Sequence, residues 1–178
     1  MRKKYASVFP INQQIIDSTF ILNKFGRNVI ARNKFFKNKN CNKISIITDI
    51  KGIPLSVISN SGNVHDLTFI DQHIKDMEKL NNKDELTILL ADKGYVSKIK
   101  KESLIHKSYD LVYPPKKNMK EPFKINKELY KKRIYIEHMF QKLKQFRRIS
   151  SRYDCFIHTF DAFVYLSCSF IVYRGLNK

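Results

Sequence analysis

The sequence has 178 residues, 43% of them apolar, and carries 34 lysines and arginines against 16 acidic residues, for a formal net charge of +18. That apolar share excludes a disordered tail, and the length suits one globular domain spanning residues 1–178. The excess of cations favours a polyanionic partner, nucleic acid first, while the lack of a membrane-length apolar run or a signal-type segment near Met1 points to an intracellular chain with no membrane partner. Cys41, Cys155 and Cys168 are too scattered for a disulfide framework or a zinc site and read as reduced packing residues.

Residues 14–22, rich in Ile, Thr and Phe, are predicted to form a first strand containing Asp17. Residues 23–42 are polar and strongly basic, with Lys24, Arg27, Arg32, Lys34, Lys37 and Lys39, and read as a long surface connection able to meet phosphate or simply to be solvated. Residues 43–48 and 55–59 are strand-like runs joined by Asp49-Ile50-Lys51-Gly52, a hairpin signal. After Ser61-Gly62-Asn63, the spacing of Leu67, Ile70, Ile74 and Met77 predicts a helix capped by Asp66 and ending near Asn81.

The block 86–91 is almost continuously apolar, as in a strand covered on both faces, and stops at Asp92-Lys93-Gly94, so Asp92 is expected at the carboxyl end of a central strand. A short helix over 97–106, a strand over 111–113 stopped by Pro114-Pro115, and a basic loop over 116–124 follow. From 127 to 149, Leu129, Ile136, Met139, Phe140, Leu143 and Phe146 form one apolar stripe, which predicts the longest helix of the chain. An apolar helix over 159–173 closes the sequence, and the mixed order of strands and helices indicates an α/β class.

At about 100° per residue, Tyr130 and Lys144 lie within roughly 20° of Glu137 on the long helix, and Arg133 within roughly 40°. Arg148 and Gln141 share that sector, which puts Glu137 at the rim of the buried stripe among basic residues. Such a carboxylate can be an ordinary helical ion pair. The order Tyr130, Arg133, Glu137, Lys144, however, resembles the Tyr-Arg-Glu-Lys signature of DDE-type insertion-sequence transposases, nearest to the insertion sequence five and four groups. Ile16-Asp17-Ser18-Thr19 resembles the first-aspartate motif of that family, and Leu89-Leu90-Ala91-Asp92-Lys93-Gly94-Tyr95 its second. The segments Asp49-Ile50-Lys51-Gly52-Ile53-Pro54-Leu55 and Gly62-Asn63-Val64-His65-Asp66 are similar as well.

The resemblance implies a ribonuclease-H-like fold, a five-stranded mixed sheet flanked by helices, in which Asp17, Asp92 and Glu137 converge as catalytic residues and metal ligands. It implies two Mg²⁺ ions, with Mn²⁺ as substitute, Asp17 bridging them and Asp92 and Glu137 each completing one site; paired ions about 3.5–4 Å apart serve in-line phosphoryl displacement. Tyr130, Arg133, Lys144 and Arg148 are the candidate DNA-binding residues, Arg133 also as a support for Glu137. The implied activity is hydrolysis at transposon ends and strand transfer into target DNA, the partners being double-stranded DNA and further copies of the chain. An N-terminal helical region usually precedes the first aspartate in that family, and Asp17 stands close to Met1, so a separate N-terminal polypeptide is a further expected partner.

Two other readings remain at this stage: a catalytically silent DNA-binding protein of transposase origin, and a ribonuclease-H-like host nuclease. The intact acids favour catalysis over the first, and the Tyr-Arg-Glu-Lys helix favours transposition over the second. His65-Asp66 is read as turn and cap chemistry; His73, His106, His138 and His158 have no zinc spacing, and Ser18 and Ser97 lack the context of a nucleophile. Tyr95 and Tyr153, beside motif residues, are the aromatic candidates for base stacking.

Overall fold

The computed structural model describes residues 1–78, 80, 85–115 and 125–177. In chain order the elements are α1 (Arg2–Ala6), β1 (Gln13–Asn23), β2 (Ala31–Asn33), β3 (Lys39–Asp49), β4 (Pro54–Ser61), α2 (Asp66–Met77), β5 (Thr87–Leu90), α3 (Lys98–Ile105), β6 (Tyr109–Val112), α4 (Lys127–Lys131), α5 (Ile134–Lys144), α6 (Arg147–Ser150), β7 (Ser151–Arg152) and α7 (Ile157–Leu176). The five expected strands are β1, β3, β4, β5 and β6, and two short pieces, β2 and β7, add to the sheet.

β1 is the spine. It pairs antiparallel with β3, from Gln14 opposite Asp49 to Leu22 opposite Cys41, and β3 pairs antiparallel with β4 on its other side. On its second edge β1 pairs parallel with β5 over Gln13–Ile15, and β5 pairs parallel with β6. Side chains alternate across a strand, and the sheet divides its apolar residues accordingly. Ile16, Ile47, Leu89 and Leu111 face a core completed by α2 through Ile70, Ile74 and Met77. Ile15, Ile21, Ile44, Ile46 and Leu90 face a second core built with Ile136, Met139 and Leu143 of α5 and Phe160 and Val164 of α7. Helices therefore cover both faces of a mixed sheet, the flanked α/β arrangement expected above.

The β3–β4 hairpin forms as the turn residues predict. The Asp49 carboxylate accepts from the N–H groups of Lys51 and Ile53, and the Tyr5 hydroxyl donates to its other oxygen. Gly52 takes φ +78°, and a Cβ there would lie 2.7 Å from the Tyr135 carbonyl oxygen. The turn thus needs glycine for its conformation and for the close seat of α5.

Several expectations change. The basic stretch 23–42 is not a bare connection: it contains β2, a 3-10 turn over Lys34–Phe36 and the start of β3. The α2 cap is His65, whose side chain accepts from the Leu67 N–H, and Asp66 is the first helical residue. That helix ends at Met77, and Asn81 lies outside the described residues, as does the basic loop 116–124. The single helix expected over 127–149 is three, broken around Lys132–Arg133 and Gln145–Phe146, and the longest helix is α7, with 20 residues. Periodicity carried the apolar stripe through both breaks because α5 and α6 bury the same face. The three cysteines are free, as expected.

His73 is fully buried on α2 with its ring nitrogens 2.8 Å from Ser56 Oγ and 2.9 Å from Ser45 Oγ, tying the helix to two strands. Burial pushes its pKa down to about 3, against the smaller opposing pull of Asp76. The unfolded chain then binds a proton below the ordinary histidine pKa that the folded chain refuses, so stability falls as pH drops from about 6.5 towards 3. In urea unfolding between pH 7 and pH 4.5, wild type is expected to lose about 2–3 kcal/mol more than His73→Gln. Parallel pH dependences in the two proteins would contradict a neutral buried His73.

Candidate active site

The site is set by strand register. Ile15 lies opposite Leu90, the last paired residue of β5. Two residues further on, each chain presents an acid: Asp17, still within β1, and Asp92, extended with φ −87° and ψ −175°. Paired strands run about 4.8 Å apart and residues i and i+2 share a face, so both carboxylates are offered side by side on the α5 face. Asp92 Oδ1 accepts from the Gly94 N–H at 2.7 Å, which starts a 3-10 turn over Lys93–Tyr95 and carries the chain away from β1. Beyond Ile15 this edge of β1 is next paired at Leu22, opposite Ser151 of β7. The stretch between forms a notch in the sheet at the carboxyl end of β5, the position where open α/β sheets place ligands.

Asp17 is half-buried and held on two sides. One oxygen accepts from the Ser18 N–H at 2.8 Å, and the other pairs with Arg133 Nη2 at 2.9 Å. Burial raises its pKa to about 6, with Asp92 adding to the rise, and neither the Ser18 N–H nor Arg133 brings it back to the usual carboxylate range. Arg133 is steadied in turn by Tyr130, whose hydroxyl accepts from Nη1 at 3.1 Å. One α5 length away, Lys144 Nζ donates to Thr19 Oγ1 at 2.6 Å, and burial lowers the pKa of this lysine. Arg133 and Lys144 therefore bracket the α5 face turned to the notch.

Glu137 stands on that face by its helical angle, but its side chain is exposed and makes no hydrogen bond or ion pair among the described residues. Among the described residues no group of three or more His, Cys, Asp or Glu side chains stands as a formed metal cluster. The structure thus joins Asp17 with Asp92, sets Arg133 against Asp17 rather than Glu137, and leaves Glu137 one turn along. Arg148 ion-pairs with the buried Asp154 while its guanidinium lies over Phe163, 3.5 Å from the ring centroid. Tyr95 is buried and takes no part in any exposed stacking surface.

Sequence reasoning missed a second layer on the opposite face. The Ser18 hydroxyl donates to Asp66 Oδ1 at 2.6 Å, and Lys43, itself nearly buried, donates to the same oxygen at 3.2 Å and to the Val64 carbonyl. The space a Cβ on Gly94 would occupy lies 3.0 Å from Asp92 Oδ1 and 3.8 Å from Asp66 Oδ2, so both carboxylates flank one backbone turn. The Tyr95 hydroxyl sits beneath them, its pKa held well above the usual value by burial and then by the charges of Asp66 and Asp17. Alternation gave the available signal: Ser18 and Lys43 occupy inward positions of paired strands, where polar groups need partners.

The sequence model of the transposase DDE domain family matches residues 9–171. The chain belongs to that family. Comparison with curated proteins finds no match. Among solved structures, this DDE domain is similar to a piggyBac transposase in a synaptic complex with hairpin DNA, at 13% identity over 67% of the chain with a TM-score of 0.47. It is also similar to the protein of the Mos1 strand transfer complex, at 11% identity over 84% of the chain with a TM-score of 0.41. The chain spans 26% and 59% of the lengths of those two proteins. No helix among its described residues is long and apolar enough to cross a membrane.

Within the DDE domain the Arg133–Asp17 pair makes a direct prediction. Arg133 acts to lower the Asp17 pKa, so Arg133→Met is expected to move the Asp17 titration upward from its position near 6. Carboxyl-carbon NMR on the metal-free protein reads this shift. An unchanged or lowered midpoint would show that the guanidinium does not hold Asp17.

Proposed function

We propose that this chain, as a single unit over residues 1–178, is the catalytic domain of a DNA transposase that hydrolyses phosphodiesters at transposon ends and joins them to target DNA. The observation that carries the reading is that Asp17 and Asp92 each stand two residues beyond the Ile15–Leu90 register, at the notch in β1, with Arg133 and Lys144 reaching β1 from either end of α5 and Glu137 between them. Family membership supports it. The acids also fit divalent ions: they offer hard oxygen donors, and Asp17 lies near enough to Asp92 for the two charges to oppose each other, which a bound cation would offset. Glu137, without an ion pair among the described residues, has its carboxylate available as the third ligand.

Two Mg²⁺ ions held by Asp17, Asp92 and Glu137, with Mn²⁺ as substitute, would supply activation of the attacking oxygen and stabilisation of the leaving oxygen. The protein side of the mechanism is positioning. Lys144, with no carboxylate partner among the described residues and its stem against β1, presents a cation where a phosphate passing the notch would lie. Arg133, fixed by Tyr130, orients Asp17 and can share a phosphate as Asp17 turns to a cation. Arg148, beyond the end of α5, is a further candidate for DNA contact and would have to share its guanidinium between a phosphate and Asp154. Double-stranded DNA of transposon ends and target is the proposed substrate, with further copies of the chain as partners and a DNA-associated intracellular location.

Nicking of supercoiled DNA in Mg²⁺ tests this. Asp17→Asn, Asp92→Asn and Glu137→Gln are each expected to reduce nicking to background while cooperative unfolding persists; wild-type rates in Glu137→Gln would remove it from the site. Lys144→Met is expected to lower the slope of log affinity against log salt by about 1, the loss of one phosphate contact. An unchanged slope would take Lys144 off the DNA.

A further inference from the structure

β1 leads from the carboxylates to a second feature with no part in the reaction above. Six residues after Asp17, about 20 Å along the strand, β1 ends at Asn23 beside β7. The residues that leave these two strands present aromatic rings to solvent. Phe25 is 64% exposed and Tyr153 42% exposed, and their ring centroids lie 5.8 Å apart.

This pair is built rigidly. The N–H groups of Lys24 and Phe25 donate to the Arg152 carbonyl, and the Arg27 N–H donates to the Cys155 carbonyl. Arg152 is fully buried between the two segments, and its guanidinium bonds to Asn28, Asn42 and the carbonyls of Asp154 and Cys155. Gly26 permits the approach, since a Cβ there would lie 2.3 Å from Asn23 Oδ1 and 2.7 Å from the Arg152 guanidinium carbon. A buried arginine with this many bonds is a costly way to place two exposed rings, unless their position matters. Their neighbours Lys24 and Arg27 are exposed cations.

We propose that Phe25 and Tyr153 form a stacking platform for an unpaired nucleobase, flanked by cations that hold its phosphates. The inference rests on the DNA reading given above and deepens it. Flat rings fixed in a basic surface match the chemistry of single-stranded recognition, in which a base stacks on an aromatic face and Lys or Arg follows the backbone. At about 3.4 Å per duplex step, the 20 Å along β1 places the platform roughly six steps from the carboxylates. The substrate class is thus duplex DNA carrying an unpaired nucleotide near the reacting phosphate.

The test compares a blunt mixed-sequence duplex with the same duplex carrying a short unpaired tail that contains 2-aminopurine. Affinities are read by anisotropy and stacking by quenching of the 2-aminopurine. Wild type is expected to prefer the tailed duplex by roughly 10-fold or more and to quench the probe. The double variant Phe25→Ala/Tyr153→Ala is expected to lose both while keeping its affinity for the blunt duplex, and Phe25→Leu, which keeps the apolar bulk, is expected to lose quenching in part. A preference that survives in the double variant overturns the platform, as does a wild type that binds both duplexes equally. Self-association of wild type that the double variant abolishes would assign the rings to a contact between copies and likewise overturn it. Failure to bind either duplex would bring down the DNA reading itself.

Discussion

A single register, Leu90 of β5 opposite Ile15 of β1, decides where the chemistry of this chain sits. Because side chains alternate with a period of two, a slip of one residue would turn Asp92 to the opposite face from Asp17 and drive Leu90 out of its core. The apolar residues flanking each acid therefore do more than fill space. Ile15 and Leu90 face α5, while Ile16, Leu89 and Ala91 face α2, and only one register satisfies both cores. Burial of the isoleucines and leucines among them, each contributing on the order of 1.5–3 kcal/mol, holds two carboxylates side by side against their mutual repulsion.

That repulsion is managed in layers. On the α5 face, Arg133 neutralises Asp17 and is braced by Tyr130; on the other face, Lys43 and Ser18 hold Asp66 close to the turn that carries Asp92. Burial outweighs this compensation and, with a smaller contribution from Asp92, holds the Asp17 pKa up at about 6. A chain with a net charge of +18 that nonetheless sets Asp17 and Asp92 at one notch is arranged to attract a polyanion broadly and a cation locally.

Much of this was legible in the sequence, for identifiable reasons. The long strands β1, β3 and β4 carry β-rich runs bounded by turn residues, and the position of Asp92 at a strand end followed from where the apolar block of β5 stopped. The breaks at Lys132–Arg133 and Gln145–Phe146 were hidden because neither contains proline or glycine and the apolar stripe runs on through both. The role of Asp66 was hidden because its partners, Ser18 and Lys43, are brought in by the β1–β3 pairing and not by sequence neighbours. Arg152 gave no local sign of burial: its partners Asn28 and Asn42 lie more than a hundred residues upstream. The basic stretch 23–42 read by composition as a surface connection, able to meet phosphate or simply solvated, yet that buried arginine pins part of it to the sheet.

The central claim is that Asp17, Asp92 and Glu137 grip a pair of divalent ions at the notch. Anomalous diffraction from crystals grown with Mn²⁺ tests it most directly. The account predicts two peaks about 3.5–4 Å apart, each within coordination distance of Asp17, with Asp92 on one and Glu137 on the other. Peaks located elsewhere, or none at the notch at saturating Mn²⁺, would contradict it.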